Sequence, residues 1–247
     1  MKILLTGSGS LAKAYKSVVP DAVVYSFRSM TNNEIKKAIR TASVIIHNAA
    51  ARIDSSVSNM RDSNFELTKR IVDIVCEVNP VIRFINIGSM SYINEGGYKN
   101  INEMTIYAFY KFCSEIYCIM NLVNVTSVRF STIFYKDHTR DILSKIAYYA
   151  FNNLVLYNKG VNKRDYIPIN IAAMYLDYVV RNRSPQVVNI CSGVETSFAE
   201  VGQFLSQLLN VGITWREGDM PYVMSRFTRV LPEIQFSLNE EIKNYVV

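Results

Sequence analysis

The chain has 247 residues, 49% hydrophobic and 19% charged, the composition of a globular protein able to bury a sizeable core. Its formal charge of +6 is not gathered into a dense Lys/Arg block, Lys36-Lys37 and Lys163-Arg164 being the nearest approaches, and favours an anionic small ligand or weak nucleic-acid affinity without choosing; no nucleic-acid partner is expected because the aromatics do not interleave with a basic stripe. No apolar run approaches the length of a membrane span or a secretory leader, and Cys76, Cys113, Cys118 and Cys191 show no zinc spacing with His47 or His138; the expectation is a cytoplasmic protein with reduced, buried thiols, no metal site and no membrane contact.

Short β-branched runs alternate with amphipathic stretches, the pattern of βαβ units and a parallel sheet. The first strand, Lys2 to Thr6, enters Thr6-Gly-Ser-Gly-Ser-Leu-Ala12 and a helix from Ser10 to Val19, stopped by Pro20. A glycine turn between strand and helix is where a dinucleotide pyrophosphate binds. Gly7 permits the turn, Gly9 admits the phosphates to the backbone, and the helix N-terminus at Ser10 and Leu11 faces them. The second strand spans Ala22 to Phe27. An NAD site places a carboxylate near its end, on the ribose 2′-hydroxyl, but Ser26 and Arg28 stand there instead. A hydroxyl and a guanidinium suit a 2′-phosphate, so NADP is favoured over NAD.

The third strand, Ser43 to His47, leads to Asn48, Ala49 and Ala50; a helix from Ser63 to Val78 ends before Pro80; a fourth strand, Arg83 to Ile87, leads to Ser89. A helix from Thr105 to Asn121 and a strand from Thr126 to Phe130 follow. Beyond about Phe134 the rhythm loosens. Asp141 to Phe151 reads as helix, Leu154 to Tyr157 and Asp165 to Ile169 as extended chain, and Ile171 to Val180 as helix. Val187 to Ile190 is a strand, Ser197 to Leu209 a helix, Gly212 to Trp215 a short strand and Leu238 to Tyr245 a closing helix. The expected architecture is a Rossmann-like doubly wound parallel sheet, mainly 1–134, with a small substrate lobe, mainly 135–247, from which 187–190 returns to the sheet.

Tyr107 and Lys111 lie four residues apart on the helix from Thr105, so they share a face with their stems about 6 Å apart. At that distance and an effective dielectric near 20, a lysine charge favours the phenolate by about 2 to 3 kcal/mol, roughly two pKa units. The sequence therefore predicts a phenol lowered toward neutrality and fit for proton transfer. In a chain with 16 tyrosines this spacing arises about once by accident, so its weight comes from the glycine turn and Ser89 upstream.

In that context the chain resembles the extended branch of the short-chain dehydrogenase/reductase superfamily, the nucleotide-sugar epimerase/dehydratase family. His47-Asn-Ala-Ala50 is similar to the loop along the cofactor, Asn64 with Thr68 to the following helix segment, and Phe84-Ile-Asn-Ile-Gly-Ser-Met-Ser91 to the strand carrying the catalytic serine. Glu103 stands where an acidic residue precedes the family tyrosine, and Val128-Arg-Phe130 resembles the strand after the catalytic helix. Lys163-Arg-Asp-Tyr-Ile-Pro-Ile169 resembles the strand whose arginine, here Arg164, contacts the substrate diphosphate, and Val188-Asn-Ile-Cys-Ser-Gly193 the turn that follows it. The departures are a glycine turn one residue short and ending in Ala12, Thr132 to Tyr135 in place of Asn-Val-Tyr-Gly, Asn170 in place of an aspartate, and a short substrate lobe.

The resemblance implies that Tyr107 moves the hydroxyl proton, Ser89 steadies the substrate oxygen, and Lys111 binds the nicotinamide ribose, with Asn48, Ala49 and Ala50 along the cofactor and Ser91, Thr132 and Arg164 at the substrate. Ser91, one pleat from Ser89, is expected to point to the same face and to be able to replace it. Relatives that eliminate water carry an Asp-Glu pair after the serine position, and Met90-Ser91 argues against that reaction. A keto-sugar reductase using NADPH and an epimerase with retained NAD remain, the first favoured by Arg28. A non-catalytic dinucleotide-binding regulator is the alternative from another class. By analogy, the helices Ser63 to Val78 and Thr105 to Asn121 pair into a homodimer.

Overall fold

A computed structural model describes residues 1–51, 55–94, 96–136, 155–156, 163–212, 214–215 and 236–246. In chain order its strands are β1 (Ile3–Thr6), β2 (Val23–Tyr25), β3 (Val44–His47), β4 (Arg83–Ile87), β5 (Ile93–Asn94), β6 (Gly97–Tyr98), β7 (Val125–Phe130), β8 (Thr132–Phe134), β9 (Val155–Leu156), β10 (Lys163–Pro168), β11 (Val187–Ile190), β12 (Glu195–Ser197) and β13 (Thr214–Trp215). The helices are α1 (Ser10–Val18), α2 (Asn32–Arg40), α3 (Val57–Arg61), α4 (Leu67–Val78) and α5 (Ile106–Asn121), then Ile169–Arg181, Phe198–Leu209 and Leu238–Val246.

Residues 1–130 and 173–190 form one compact unit, and 131–172 with 191–247 a second. The division falls at Phe130, and 173–186 joins the sheet unit together with β11. Side chains explain this: the Tyr15 hydroxyl donates to Asp177 at 3.0 Å, and Arg83 donates to the carbonyls of Val179 and Asn182 at 2.6 Å each.

The first unit carries a six-stranded sheet in the order β2-β1-β3-β4-β7-β11, parallel throughout. Its strands are short and nearly all apolar, as strands covered on both faces must be. Leu4, Ile45 and Phe84 pack with Ile35 and Ile39 of α2, Ile71 and Val75 of α4, and Cys118 of α5. Because the chain leaves β1 for β2 on one side and returns with β3 on the other, the crevice beyond these strand ends is the topological switch point where such sheets bind ligands.

Two helices differ from expectation. No helix is expected from the sequence where α2 stands, yet Thr31 accepts from the Glu34 backbone while Glu34 accepts from the Thr31 backbone, a reciprocal cap, and Ile35, Ala38 and Ile39 bury one face. The helix expected from Ser63 begins at Val57, capped by the Ser56 side chain, and passes through a π-helical turn, Asp62–Glu66, before α4. Cys118 and Cys191 are buried as expected, but Cys76 is exposed.

The second unit contains the three-stranded order β12-β10-β8 and a parallel pair of β9 with β13. Phe134, Tyr166, Phe198, Val201, Leu205 and Ile242 form its core. The Asp165 carboxylate accepts the backbone N–H groups of Ser192 and Gly193 at 2.9 and 2.7 Å, holding a turn in which Gly193 has a positive φ of 81°. The expected helix Asp141 to Phe151 lies outside the described residues, as do Leu154, Tyr157 and the residue before β13. Among the described residues no helix is long and apolar enough to cross a membrane, and no group of His, Cys, Asp or Glu could hold a metal ion.

Candidate active site

At the end of β1 the Gly7 N–H donates to the Tyr25 carbonyl at 2.8 Å, which joins the glycine turn to the end of β2. Gly7 has φ +116°, and a Cβ there would lie 3.1 Å from the Ala49 Cα. Both facts require glycine. Gly9 is different. Its backbone is extended, and a Cβ would meet only the Asn48 Nδ2, at 4.0 Å. Among the described residues nothing else comes within 4 Å of that position, so the space is a cradle facing Asn48. Gly9 is also the N-cap of α1 and gives no side-chain cap, which leaves the first N–H groups of the helix, at Ser10 and Leu11, to an outside acceptor. This combination fits a pyrophosphate. Ser26 and Arg28 are exposed in and beside the 3₁₀ turn Phe27–Ser29, directly after β2.

The Asn48–Ala50 loop follows β3, and the Ala51 N–H donates to Asn64 Oδ1 at 2.6 Å, so the π-helical turn fastens the loop. Behind it runs a buried chain of neutral groups. Thr6 Oγ1 is 2.7 Å from His47 Nδ1, His47 Nε2 is 2.8 Å from Thr68 Oγ1, and the Ser114 hydroxyl donates to Thr68 Oγ1 at 2.8 Å. Burial, aided by the Lys111 charge, brings the His47 pKa down to about 3, so the ring is neutral.

Lys111 is buried and its ammonium donates to the Ile87 carbonyl at the end of β4. Burial lowers its pKa to about 8, against the raising influence of Cys118 and Glu115. Two residues beyond Ile87, Ser89 is extended, its Oγ accepts from the Ser91 N–H at 3.1 Å and its hydroxyl donates to Ser91 Oγ at 2.9 Å. Ser91 therefore does not stand one pleat along a strand. Met90–Tyr92 is a 3₁₀ turn, and it folds the second serine back onto the first.

Tyr107 is half-buried, and the expectation of a lowered phenol pKa is overturned. Burial raises it, and the opposing influence comes from the Ser89 hydroxyl. The physical reason is the direction of the lysine. Its head is drawn to the Ile87 carbonyl and acts on His47 and Cys118 rather than on the phenol.

Ser89, Tyr107 and Lys111 thus meet beyond the end of β4, on the same edge of the parallel sheet as Gly7, Gly9 and Asn48. Thr132 on β8 and Arg164 on β10 belong to the second unit, where the Arg164 guanidinium lies 5.9 Å from the Phe198 ring centre. Glu115, not among the residues expected from the sequence, also belongs to this region. Its buried carboxylate accepts from Tyr92 at 2.7 Å, Ser127 at 2.5 Å, Tyr98 at 2.9 Å, and the Arg129 Nε at 3.1 and 3.0 Å to its two oxygens, with a further bond from the Arg129 amino group. Burial opposes ionisation, but Arg129 and these hydroxyls hold the carboxyl pKa below its ordinary value. The available signal was spacing: Glu115 follows Lys111 by one helical turn, on the same face.

Comparison with solved structures shows what else has this fold. A dTDP-4-dehydrorhamnose reductase from Clostridium acetobutylicum superposes with a TM-score of 0.82 at 12% identity, covering 100% of this chain and 98% of the other. A UDP-glucuronic acid 4-epimerase from Bacillus cereus, in complex with NAD, gives 0.83 at 13%, covering 100% and 97%. The enzyme WbmH from Bordetella bronchiseptica, in complex with NAD+, gives 0.84 at 14%, covering 99% and 97%. No protein-family model matches the sequence, and no curated protein matches it. The chain has the Rossmann-like α/β fold of these enzymes.

Proposed function

We propose that this protein is an NAD(P)-dependent oxidoreductase of the extended short-chain dehydrogenase/reductase superfamily, acting on a nucleotide-activated sugar and reducing a keto carbon. The observation that carries the reading is the meeting of Ser89, Tyr107 and Lys111 beside the topological switch point, with the glycine cradle on the same sheet edge. Gly7, Gly9, Ser10 and Leu11 would hold the pyrophosphate, Asn48, Ala49 and Ala50 would lie along the dinucleotide, and Tyr107 and Lys111 would hold the nicotinamide ribose. The bound nicotinamide supplies hydride. Tyr107 gives the proton to the sugar oxygen, and Ser89 turns the hydroxyl that it gives to Ser91 Oγ in the unliganded site toward that oxygen as charge develops. Ser26 and Arg28 support NADP over NAD, because an exposed guanidinium attracts a 2′-phosphate that a carboxylate would repel. Thr132 and Arg164 are carried by the sequence resemblance as substrate contacts, Arg164 to the diphosphate.

Purified protein incubated with NADPH and a 4-keto nucleotide sugar is expected to consume NADPH, and Tyr107→Phe to lower kcat by about 10²- to 10⁴-fold. A second reading, epimerisation with retained NAD, is supported by the NAD complex of the Bacillus cereus epimerase. Protein that purifies with NAD and interconverts nucleotide sugars without added cofactor would select it. Elimination of water is disfavoured, since Met90 is buried and Ser91 follows where a carboxylate pair is needed. A folded Tyr107→Phe variant with full biological activity and no turnover in the wild type would identify a dinucleotide-binding regulator instead. Exposed Ile106 and Met120 on α5 and Val57 on α3 support a homodimer, which sedimentation tests.

A further inference from the structure

Glu115 takes part in no step described above, yet it is the most heavily hydrogen-bonded side chain around the site. Its Oε2 accepts the Tyr92 hydroxyl at 2.7 Å, and the same Tyr92 oxygen accepts the Ser89 backbone N–H at 3.2 Å. One phenol oxygen therefore joins a buried ion pair to the backbone of the serine. The ion pair is fixed from several elements: Arg129 and Ser127 come from β7, Tyr98 from β6, and Glu115 from α5, one turn beyond Lys111. The guanidinium also lies 5.5 Å from the Tyr92 ring centre and 5.0 Å from that of Tyr98. Fit is tight. A Cβ on Gly88 would stand 2.5 Å from the Tyr92 oxygen and 3.1 Å from Glu115 Oε2, so the backbone before Ser89 is pressed onto this cluster.

We propose that Glu115 and Arg129, acting through the Tyr92 hydroxyl, are positioning residues that hold Ser89 at the distance from Tyr107 required for proton transfer. The inference rests on the oxidoreductase reading of the site. Tyr92 is the only one of the two tyrosines on the carboxylate that also bonds Ser89 in this cluster; Tyr98 makes the same donation to Glu115 and a contact at 2.8 Å with Arg129. This supplies a control, on a phenol that is exposed where Tyr92 is buried. Both Tyr92→Phe and Tyr98→Phe remove one phenol from Glu115, but only the first frees the Ser89 backbone. Neither removes a charge, so the Glu115–Arg129 pair remains.

The test compares the two variants in the full chain. Tyr92→Phe is expected to lower kcat about tenfold, the scale of one hydrogen bond lost from transition-state alignment, with KM for cofactor and sugar unchanged. Tyr98→Phe is expected to stay within twofold of the wild type. A second readout needs no turnover: 3-fluorotyrosine is incorporated, the Tyr107 ¹⁹F resonance is assigned by its loss in Tyr107→Phe, and its pH titration is followed. Ser89 is the group that lowers the Tyr107 pKa, while the charged and titratable groups around the clamp are Glu115, Arg129, Tyr92, Tyr98, Lys111 and Lys99, whose ammonium donates to the Ser91 carbonyl at 3.0 Å. Tyr92→Phe should move the Tyr107 midpoint upward and Tyr98→Phe should leave it. Equal effects of the two variants on kcat, or an unmoved Tyr107 midpoint in folded Tyr92→Phe, overturns the proposal. Failure of the oxidoreductase reading has a separate signature, absence of turnover and of NAD(P) binding in the wild type, and the ¹⁹F comparison still decides whether the clamp sets Ser89.

Discussion

Ser114 and Glu115 are neighbours on α5, yet they anchor buried polar clusters of opposite kind. Ser114 enters the neutral chain that runs through Thr68 and His47 to Thr6, tying the helix to the ends of β1 and β3. Glu115 enters the ionised cluster with Arg129, Tyr92 and Tyr98, tying the same helix to β7 and the turn after β4. The difference teaches how α5 is aimed. Hydroxyls and a neutral imidazole set one side at low electrostatic cost, and a fully hydrogen-bonded ion pair sets the other with strong directionality.

The largest effect should come from breaking the charged cluster. Glu115→Leu leaves the Arg129 guanidinium buried without its partner, and a loss of about 3 to 5 kcal/mol in denaturant unfolding is expected. Acid should separate the clusters. Folded His47 stays neutral down to about pH 3, whereas an unfolded histidine takes its proton near pH 6.5. The unfolded chain binds more protons between these values, so stability is complete above about pH 6.5 and falls as pH drops, by about 1.4 kcal/mol per unit. At pH 5 this amounts to about 2 kcal/mol, and the substitution His47→Gln, which cannot take up the proton, should flatten that part of the profile. Glu115 has a lowered pKa, so its contribution is present above the ordinary carboxylate range near 4.3 and is lost only below it. The neutral cluster is therefore the first to yield to acid.

Thr68→Val removes the hydroxyl that serves both His47 and Ser114, and about 1 to 3 kcal/mol of stability should go with it. The smallest change is expected for Tyr98→Phe, whose phenol is partly exposed and whose loss leaves Glu115 its other donors; about 0.5 to 1 kcal/mol in thermal or urea unfolding is the scale. If Tyr98→Phe proved as costly as Glu115→Leu, the division between the ion pair and its outer donors would have to be abandoned.

Much of this was legible from local pattern. Apolar runs such as Ile3-Leu4-Leu5 and Val44-Ile45-Ile46 announce buried parallel strands, and the glycine turn between strand and helix announces its own place at the sheet edge. The α2 helix was written in Thr31-Asn-Asn-Glu34 but is easily passed over, because only Ile35, Ala38 and Ile39 are apolar in a strongly charged segment. The lysine–tyrosine coupling was misread because spacing fixes which face a side chain leaves from, not where a long, flexible stem ends; the Ile87 carbonyl captured the ammonium. Glu115 and Arg129 meet across 14 residues and two elements, a contact that no local period encodes.

Gly88 carries a consequence for how such a chain can diverge. With Tyr92 and Glu115 in place, any larger residue at 88 collides with the phenol oxygen, so position 88 cannot enlarge before position 92 changes. Replacing the tyrosine by phenylalanine removes the 2.5 Å collision, and a methyl at position 88 then needs only small shifts of Glu115 Oε2 at 3.1 Å and Arg129 Cγ at 3.2 Å. Lineages that carry alanine there should therefore have surrendered the hydroxyl first, leaving positions 88 and 92 as a linked pair in the record of substitutions.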